Sequence, residues 1–192
     1  MEKHALILDG RIGDDAIADK SASFAKTWLT AAQWTSIHYK LNEMAIAPCL
    51  GCFGCWVQTP GVCVIDDVGR EVAKAIVRSD LVVYLTPILF GGYSHELKKA
   101  LDRSIPIISP MFKRVHGEVH HKKRYDSYPD VLALGWRDKI TEEDEALFHS
   151  VVQRNGINMH ASKVRFDIFK TSESDETLKQ RVEWALSEVI GL

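Results

Sequence analysis

The feature that most constrains this chain is an alternation, five times over, of a short apolar run with a longer stretch of helical period. Residues 4–9 read as a buried strand, and residues 14–32 follow as a helix with Ile17, Phe24 and Trp28 on its apolar positions. A second strand covers residues 35–41. The second helix starts near Asp66 and Asp67, carboxylates suited to a helix N-terminus, and turns Val72, Ile76 and Val77 inward. Leu81-Val82-Val83-Tyr84-Leu85 is the clearest strand, and a helix begins at Ser94, an N-cap residue type, with Leu97 and Leu101 on one face. Residues 131–134 form the next strand, 142–155 a helix capped by Thr141, 164–169 a strand and 175–190 a closing helix. Helices of this length supply the crossovers that parallel strands need, and they cover both faces of the sheet.

Five such units predict an α/β fold: a doubly wound five-stranded parallel sheet, flavodoxin-like, in the order 2-1-3-4-5. The length fits one domain over residues 1–192. A formal net charge of −2 offers no basic footprint for nucleic acid. The longest apolar stretch, residues 81–90, is interrupted by Thr86 and Pro87 and falls short of a membrane span. Residues 5–8 are too short for a secretory core and run into Asp9, so the expected location is cytoplasmic, where thiols stay reduced. Residues 105–128 stand apart, long and mixed in charge. There His116, Glu118, His120 and His121 form HxExHH, a set of zinc or iron ligand types, but Lys122, Lys123 and Arg124 beside it disfavour a cation. That segment reads as a surface or subunit-contact loop.

All four cysteines of the chain fall in one window, Cys49, Cys52, Cys55 and Cys63, spaced CxxCxxCx7C. Thr59-Pro60-Gly61 is a turn signal able to fold Cys63 back on the other three. Four readings stay open at this point: an iron–sulfur centre, zinc, a disulfide scaffold, or reduced thiols in a glycine-rich loop.

In a doubly wound sheet, ligands bind beyond the carboxyl ends of the strands at the switch point. The loop after the third strand, Thr86-Pro87-Ile88-Leu89-Phe90-Gly91-Gly92-Tyr93-Ser94, has glycines that admit a flat ligand to the backbone and apolar side chains to cover one ring face. The first loop reads Asp9-Gly10-Arg11-Ile12-Gly13-Asp14-Asp15, and the loop after the fourth strand begins Gly135-Trp136.

The motifs Pro48 to Trp56, Pro60 to Asp67, Ser79-Asp80 and Thr86 to Arg103, in that order, resemble the NADPH-dependent FMN reductase family, and within it the iron–sulfur flavoproteins and multimeric flavodoxin-like quinone reductases. The resemblance implies FMN at the strand ends and an oxidoreductase passing electrons from NAD(P)H or a reduced carrier to a quinone, flavin or similar small-molecule acceptor. Gly10, Arg11 and Gly13 then fall on the phosphate loop. Thr86, Pro87, Ile88, Leu89, Phe90 and Gly91 fall on the ring loop, with Gly135 and Trp136 along the ring. It also implies a [4Fe-4S] cluster on Cys49, Cys52, Cys55 and Cys63 as in the iron–sulfur members, and a homodimer or homotetramer, without nucleic-acid or membrane partners. No catalytic acid or base is implied. The departure is at the first loop, which lacks a hydroxyl before Ser21 and sets Asp14 and Asp15 where a phosphate dianion would meet them. A flavodoxin-fold binding module that has lost FMN is the alternative this loop motivates.

Overall fold

The computed structural model describes residues 2–191. Its elements are β1 (Lys3–Asp9), α1 (Ala16–Ala31), β2 (Trp34–Lys40), a short α2 (Gly54–Val57), α3 (Gly69–Arg78), β3 (Leu81–Pro87), α4 (His95–Arg103), β4 (Ile108–Val115), β5 (Glu118–Lys123), β6 (Asp130–Arg137), α5 (Glu142–Asn158), β7 (Val164–Lys170) and α6 (Asp175–Ile190). The main sheet runs β2-β1-β3-β6-β7, with every neighbouring pair parallel. Counting only these five strands, that is the expected order 2-1-3-4-5.

Each central strand feeds two cores because successive side chains point to opposite faces. Leu6, Leu8, Val82, Tyr84, Val131 and Ala133 pack with Val72, Ile76, Leu97, Ala100, Phe148 and Val152 from α3, α4 and α5. Their neighbours Ala5, Ile7, Leu81, Val83, Leu132 and Leu134 pack on the other face with Ala18, Ala22 and Leu29 of α1 and Leu178, Val182 and Leu186 of α6. The runs are continuous because both faces are dry.

Helix starts follow their caps. Ser94 accepts from Leu97 N–H, and Thr141 with Asp144 forms a reciprocal capping box on α5. The second long helix begins at Gly69 rather than at residues 66–67, because Asp67 is turned to Arg103 of α4 while accepting from Gly69 N–H at 2.9 Å. Within residues 105–128, expected as a loop, Ile108 to Lys123 form instead the antiparallel hairpin β4–β5, closed at His116 and Gly117, both at positive φ. Its one exposed face carries the charges that hide the strand alternation. Within it His120 contacts Glu118 at 3.1 Å and Asn158 at 3.0 Å, and His121 bonds the Ser109 carbonyl at 2.7 Å. Among the described residues no group of three or more His, Cys, Asp or Glu side chains is arranged to hold a metal ion, and no helix is long and apolar enough to cross a membrane.

Candidate functional site

The carboxyl ends of β1, β3 and β6 are tied into one edge. Gly10 N–H donates to Leu85 O at 2.8 Å, Ile88 N–H to Trp136 O at 2.9 Å, and Ser94 N–H to the Thr86 hydroxyl at 2.9 Å. The Ser94 hydroxyl in turn donates to Gly10 O. Gly10 has no space for a side chain, since a Cβ there would lie 2.6 Å from Leu97 Cβ and 2.8 Å from Ser94 Oγ. It is a packing glycine between two loops, buried beneath the edge.

Arg11 is buried as well. Its Nε and Nη2 donate to Asp9 Oδ2 at 2.9 and 2.6 Å, and its Nη1 donates to Asp19 at 2.7 Å. His38 Nε2 lies 3.0 Å from the same Asp9 carboxylate. Burial pulls the Asp9 carboxyl upward, but hydrogen bonds from His38 and Arg11 outweigh it and hold the group below the usual range. The guanidinium is therefore spent inside the protein.

Asp15 is the N-cap of α1. Its Oδ1 accepts from Ile17 N–H at 2.9 Å and Ala18 N–H at 3.1 Å, and its Oδ2 accepts the Trp136 indole N–H at 2.9 Å. Those are the helix donors an external anion would use. Trp136 is only 3% exposed and packs with the α1 and α6 core, so its ring lies beneath the edge. Gly135 is buried under Ile88 and Phe148. Gly13 and Asp14 remain exposed.

The loop after β3 projects outward. Leu89 and Gly92 exchange both backbone hydrogen bonds, at 3.0 and 2.9 Å, which forces Phe90 and Gly91 to positive φ at the tip. Phe90 is fully exposed and Leu89 partly so, Pro87 is half-buried, and Ile88 and Thr86 are buried supports. At Gly91 a Cβ would meet Leu147 at 2.9 Å as well as the φ of +74°. A β-branched residue there would break the turn itself.

The four cysteines line one small cavity of about 30 Å³, together with Gly51, Ile65 and Arg103. The chain turns back as expected: Gly61 N–H donates to Cys55 O at 3.0 Å. Cys49 and Cys52 are exposed, Cys63 is intermediate and Cys55 is buried. Burial pushes the Cys55 thiol up, and Cys63, Cys49 and Cys52 add to the shift. The loop is fastened by Arg103, whose guanidinium donates to both Asp67 oxygens at 2.7 and 2.8 Å, to Ala47 O at 2.8 Å and to Ile65 O at 3.2 Å. Arg70 Nε holds Cys63 O at 2.9 Å.

The Arg103–Asp67 clasp escaped sequence reasoning. Its signal was an arginine on the buried stripe of α4, three residues past Ala100 and six past Leu97, a position that obliges a buried partner.

The sequence model of the NADPH-dependent FMN reductase family matches residues 4–152. An iron-sulfur flavoprotein of Methanocaldococcus jannaschii is 38% identical over 68 residues, which are 35% of this chain and 34% of that protein. The chain thus matches about a third of that relative's length. An NAD(P)H:quinone oxidoreductase from Methanothermobacter marburgensis superposes with a TM-score of 0.74 at 15% identity, covering 96% of this chain and 94% of that one. An FMN-dependent NADH-azoreductase from Bacillus anthracis, solved in complex with FMN, superposes at 0.70 with 14% identity and covers 98% and 99%. At these identities the two structures speak for the fold.

Proposed function

The chain belongs to the NADPH-dependent FMN reductase family, and from that membership we propose that it is an oxidoreductase passing electrons from NAD(P)H or a reduced carrier to a quinone, flavin or similar acceptor, with a flavin held by its ring. The observation that carries this reading is the Leu89–Gly92 turn, which extends an apolar wall beyond the ends of β3 and β6.

The two halves of FMN fare differently here. For the ring, exposed Leu89 and Phe90 with Pro87 offer one face, and the Gly10–Ser94–Thr86 ties hold that wall rigidly against the sheet. The residues present do not fit the phosphate, because Asp15 already occupies the first N–H groups of α1 and Arg11 is neutralised by Asp9 and Asp19. A dianion brought there would also face Asp14 and Asp15. When bound, a flavin supplies hydride acceptance and electron transfer. This chain's own part is to orient the ring and exclude water from one face. A wall on one face only calls for a second, and a partner copy in a homodimer or homotetramer would supply it.

A second reading rests on the cysteines. Cys49, Cys52, Cys55 and Cys63 line one cavity, with Arg103 beside Cys63, and are the residue types that would hold a [4Fe-4S] cluster, although their thiols are not gathered into a metal-ready set among the described residues. Such a cluster supplies one-electron transfer.

The test is an anaerobic preparation assayed for NADPH oxidation with and without added flavin. Flavin-dependent turnover, with bleaching of the flavin band, supports the first reading. Equimolar iron and sulfide with brown absorption support the second as well. Absence of both flavin binding and turnover contradicts the proposal and leaves a binding module on an oxidoreductase fold.

A further inference from the structure

The hairpin β4–β5 and the cysteine loop share one apolar surface. Phe53 stacks on Trp56 with ring centroids 5.3 Å apart, the Trp56 ring lies 4.9 Å from that of His121, and His121 lies 4.7 Å from Phe112, its partner across the hairpin. The ladder of rings therefore runs unbroken from the loop to β4. On the same loop and hairpin Leu50, Phe53, Val57, Met111, Phe112 and Val119 are each more than half exposed. Single exposed apolar side chains are ordinary on a protein surface, but a contiguous group of them marks a place of contact.

Charge singles out the same hairpin. Residues 108–123 carry four cations, Lys113, Arg114, Lys122 and Lys123, against a single carboxylate, Glu118. Glu118 is engaged by Arg154 at 2.8 Å and by His120 at 3.1 Å, and none of the four cations is paired with a carboxylate among the described residues. This concentration of positive charge sits on a chain whose formal net charge is −2. Arg114 stands directly across from Val119, the next pair on the side of the hairpin that carries Phe112 and His121.

That interleaving selects the occupant. A protein interface keeps charge out of its centre and places it at the rim. Here cation and hydrocarbon alternate on one strand pair, as in elements whose cations reach lipid headgroups while the side chains beside them enter the acyl boundary. Two copies meeting through this face would set like charges together. A single-stranded nucleic acid needs free ring faces, but Trp56 and His121 each have two ring neighbours already, and most of the other exposed carbon is aliphatic. We propose that this face docks on an anionic membrane surface, with Phe53, Met111, Phe112 and Val119 at the headgroup–acyl boundary and Lys113, Arg114 and Lys122 on the headgroups. The motifs behind the family resemblance end at Arg103, so the absence of a membrane partner that it implies does not extend to this hairpin. The docking does not rest on a bound flavin or cluster.

The experiment is co-sedimentation of the full chain with vesicles of phosphatidylcholine alone and of equal parts phosphatidylcholine and phosphatidylglycerol. Saturable binding is expected on the mixed vesicles and none on phosphatidylcholine alone. Arg114→Gln with Lys122→Gln should weaken it about twentyfold, since each cation near an anionic surface contributes roughly fivefold. Lys26→Gln with Lys179→Gln, on α1 and α6 across the sheet, removes the same charge and should leave binding unchanged. Met111→Ser with Val119→Ser, both exposed and outside the folded core, should weaken binding about tenfold with wild-type circular dichroism. No binding to the mixed vesicles overturns the proposal, and saturable binding of poly-thymidine or poly-glutamate in its place would assign the face to a nucleic acid or an acidic protein. Equal weakening by the two pairs of charge variants overturns it as well, since net charge alone would then be at work. So does binding that ignores Met111→Ser with Val119→Ser, or a change of oligomeric state in that variant by light scattering, which would give the face to a second copy.

Discussion

Asp67→Asn isolates the clasp that fixes the cysteine loop. Arg103 is 1% exposed, and its only anionic partner among the described residues is Asp67. The variant removes the charge and keeps an oxygen for only one of the Ala47 and Gly69 N–H groups, which bond opposite carboxylate oxygens, so the loss joins the counter-ion of a buried guanidinium to one backbone acceptor, about 3–5 kcal/mol. Arg103, first among the causes, holds the Asp67 carboxyl at about 2, against an ordinary 3.8. That difference corresponds to about 2 kcal/mol of stability linked to the ionised carboxylate. A depressed carboxyl contributes fully above its unfolded pKa and loses the contribution as pH falls through its folded pKa. The wild-type advantage should therefore be complete above about pH 5 and narrow by about 1 kcal/mol by pH 3. Urea unfolding followed by tryptophan fluorescence across that range measures both numbers. Thiol titration adds a local readout, because Cys55 should react faster with a disulfide reagent once the loop is loosened. A deficit below about 1 kcal/mol at pH 7, or one that stays constant down to pH 3, would refute the reasoning.

Gly10→Ala should lower stability by about 1–3 kcal/mol in thermal or urea unfolding, because its Cβ has only 2.6 Å to Leu97 Cβ. Asp15→Ala should cost about 1–3 kcal/mol, since it uncaps α1 and leaves the Trp136 indole N–H buried without an acceptor; a melting temperature equal to wild type would count against both bonds. Asp15→Ser, which retains a cap, should tighten FMN and leave riboflavin unaffected, as measured by fluorescence titration.

The sheet was legible because its strands are buried on both faces, so that Leu81-Val82-Val83-Tyr84-Leu85 stands out as an unbroken apolar run between a cap and a turn. Ser94 and Thr141 marked helix starts for the same local reason, since their hydroxyls satisfy N–H groups only three residues on. The hairpin was not legible. It leans one face on α5 and exposes the other, so Lys113, Arg114, Lys122 and Lys123 mask the period of two. In the site, the meeting of the cysteines followed from a local turn. The fates of Arg11 and Trp136 did not, because the direction each side chain takes is set by how the loops fold over the sheet edge. Arg11 is drawn inward by Asp9, which also engages His38 of β2, and Trp136 is claimed by Asp15, 121 positions away. A first loop rich in charge can present an arginine to a phosphate or consume it, and only the third dimension decides.

The central claim is that this family member meets a flavin by the ring and not by the phosphate. The most direct measurement is the pair of dissociation constants for FMN and riboflavin on the same protein, at the same ionic strength. The account predicts values within about threefold of each other, because Asp15 and not the ligand satisfies the start of α1. FMN binding tighter than riboflavin by about a hundredfold or more would contradict it, showing that the phosphate is seated after all.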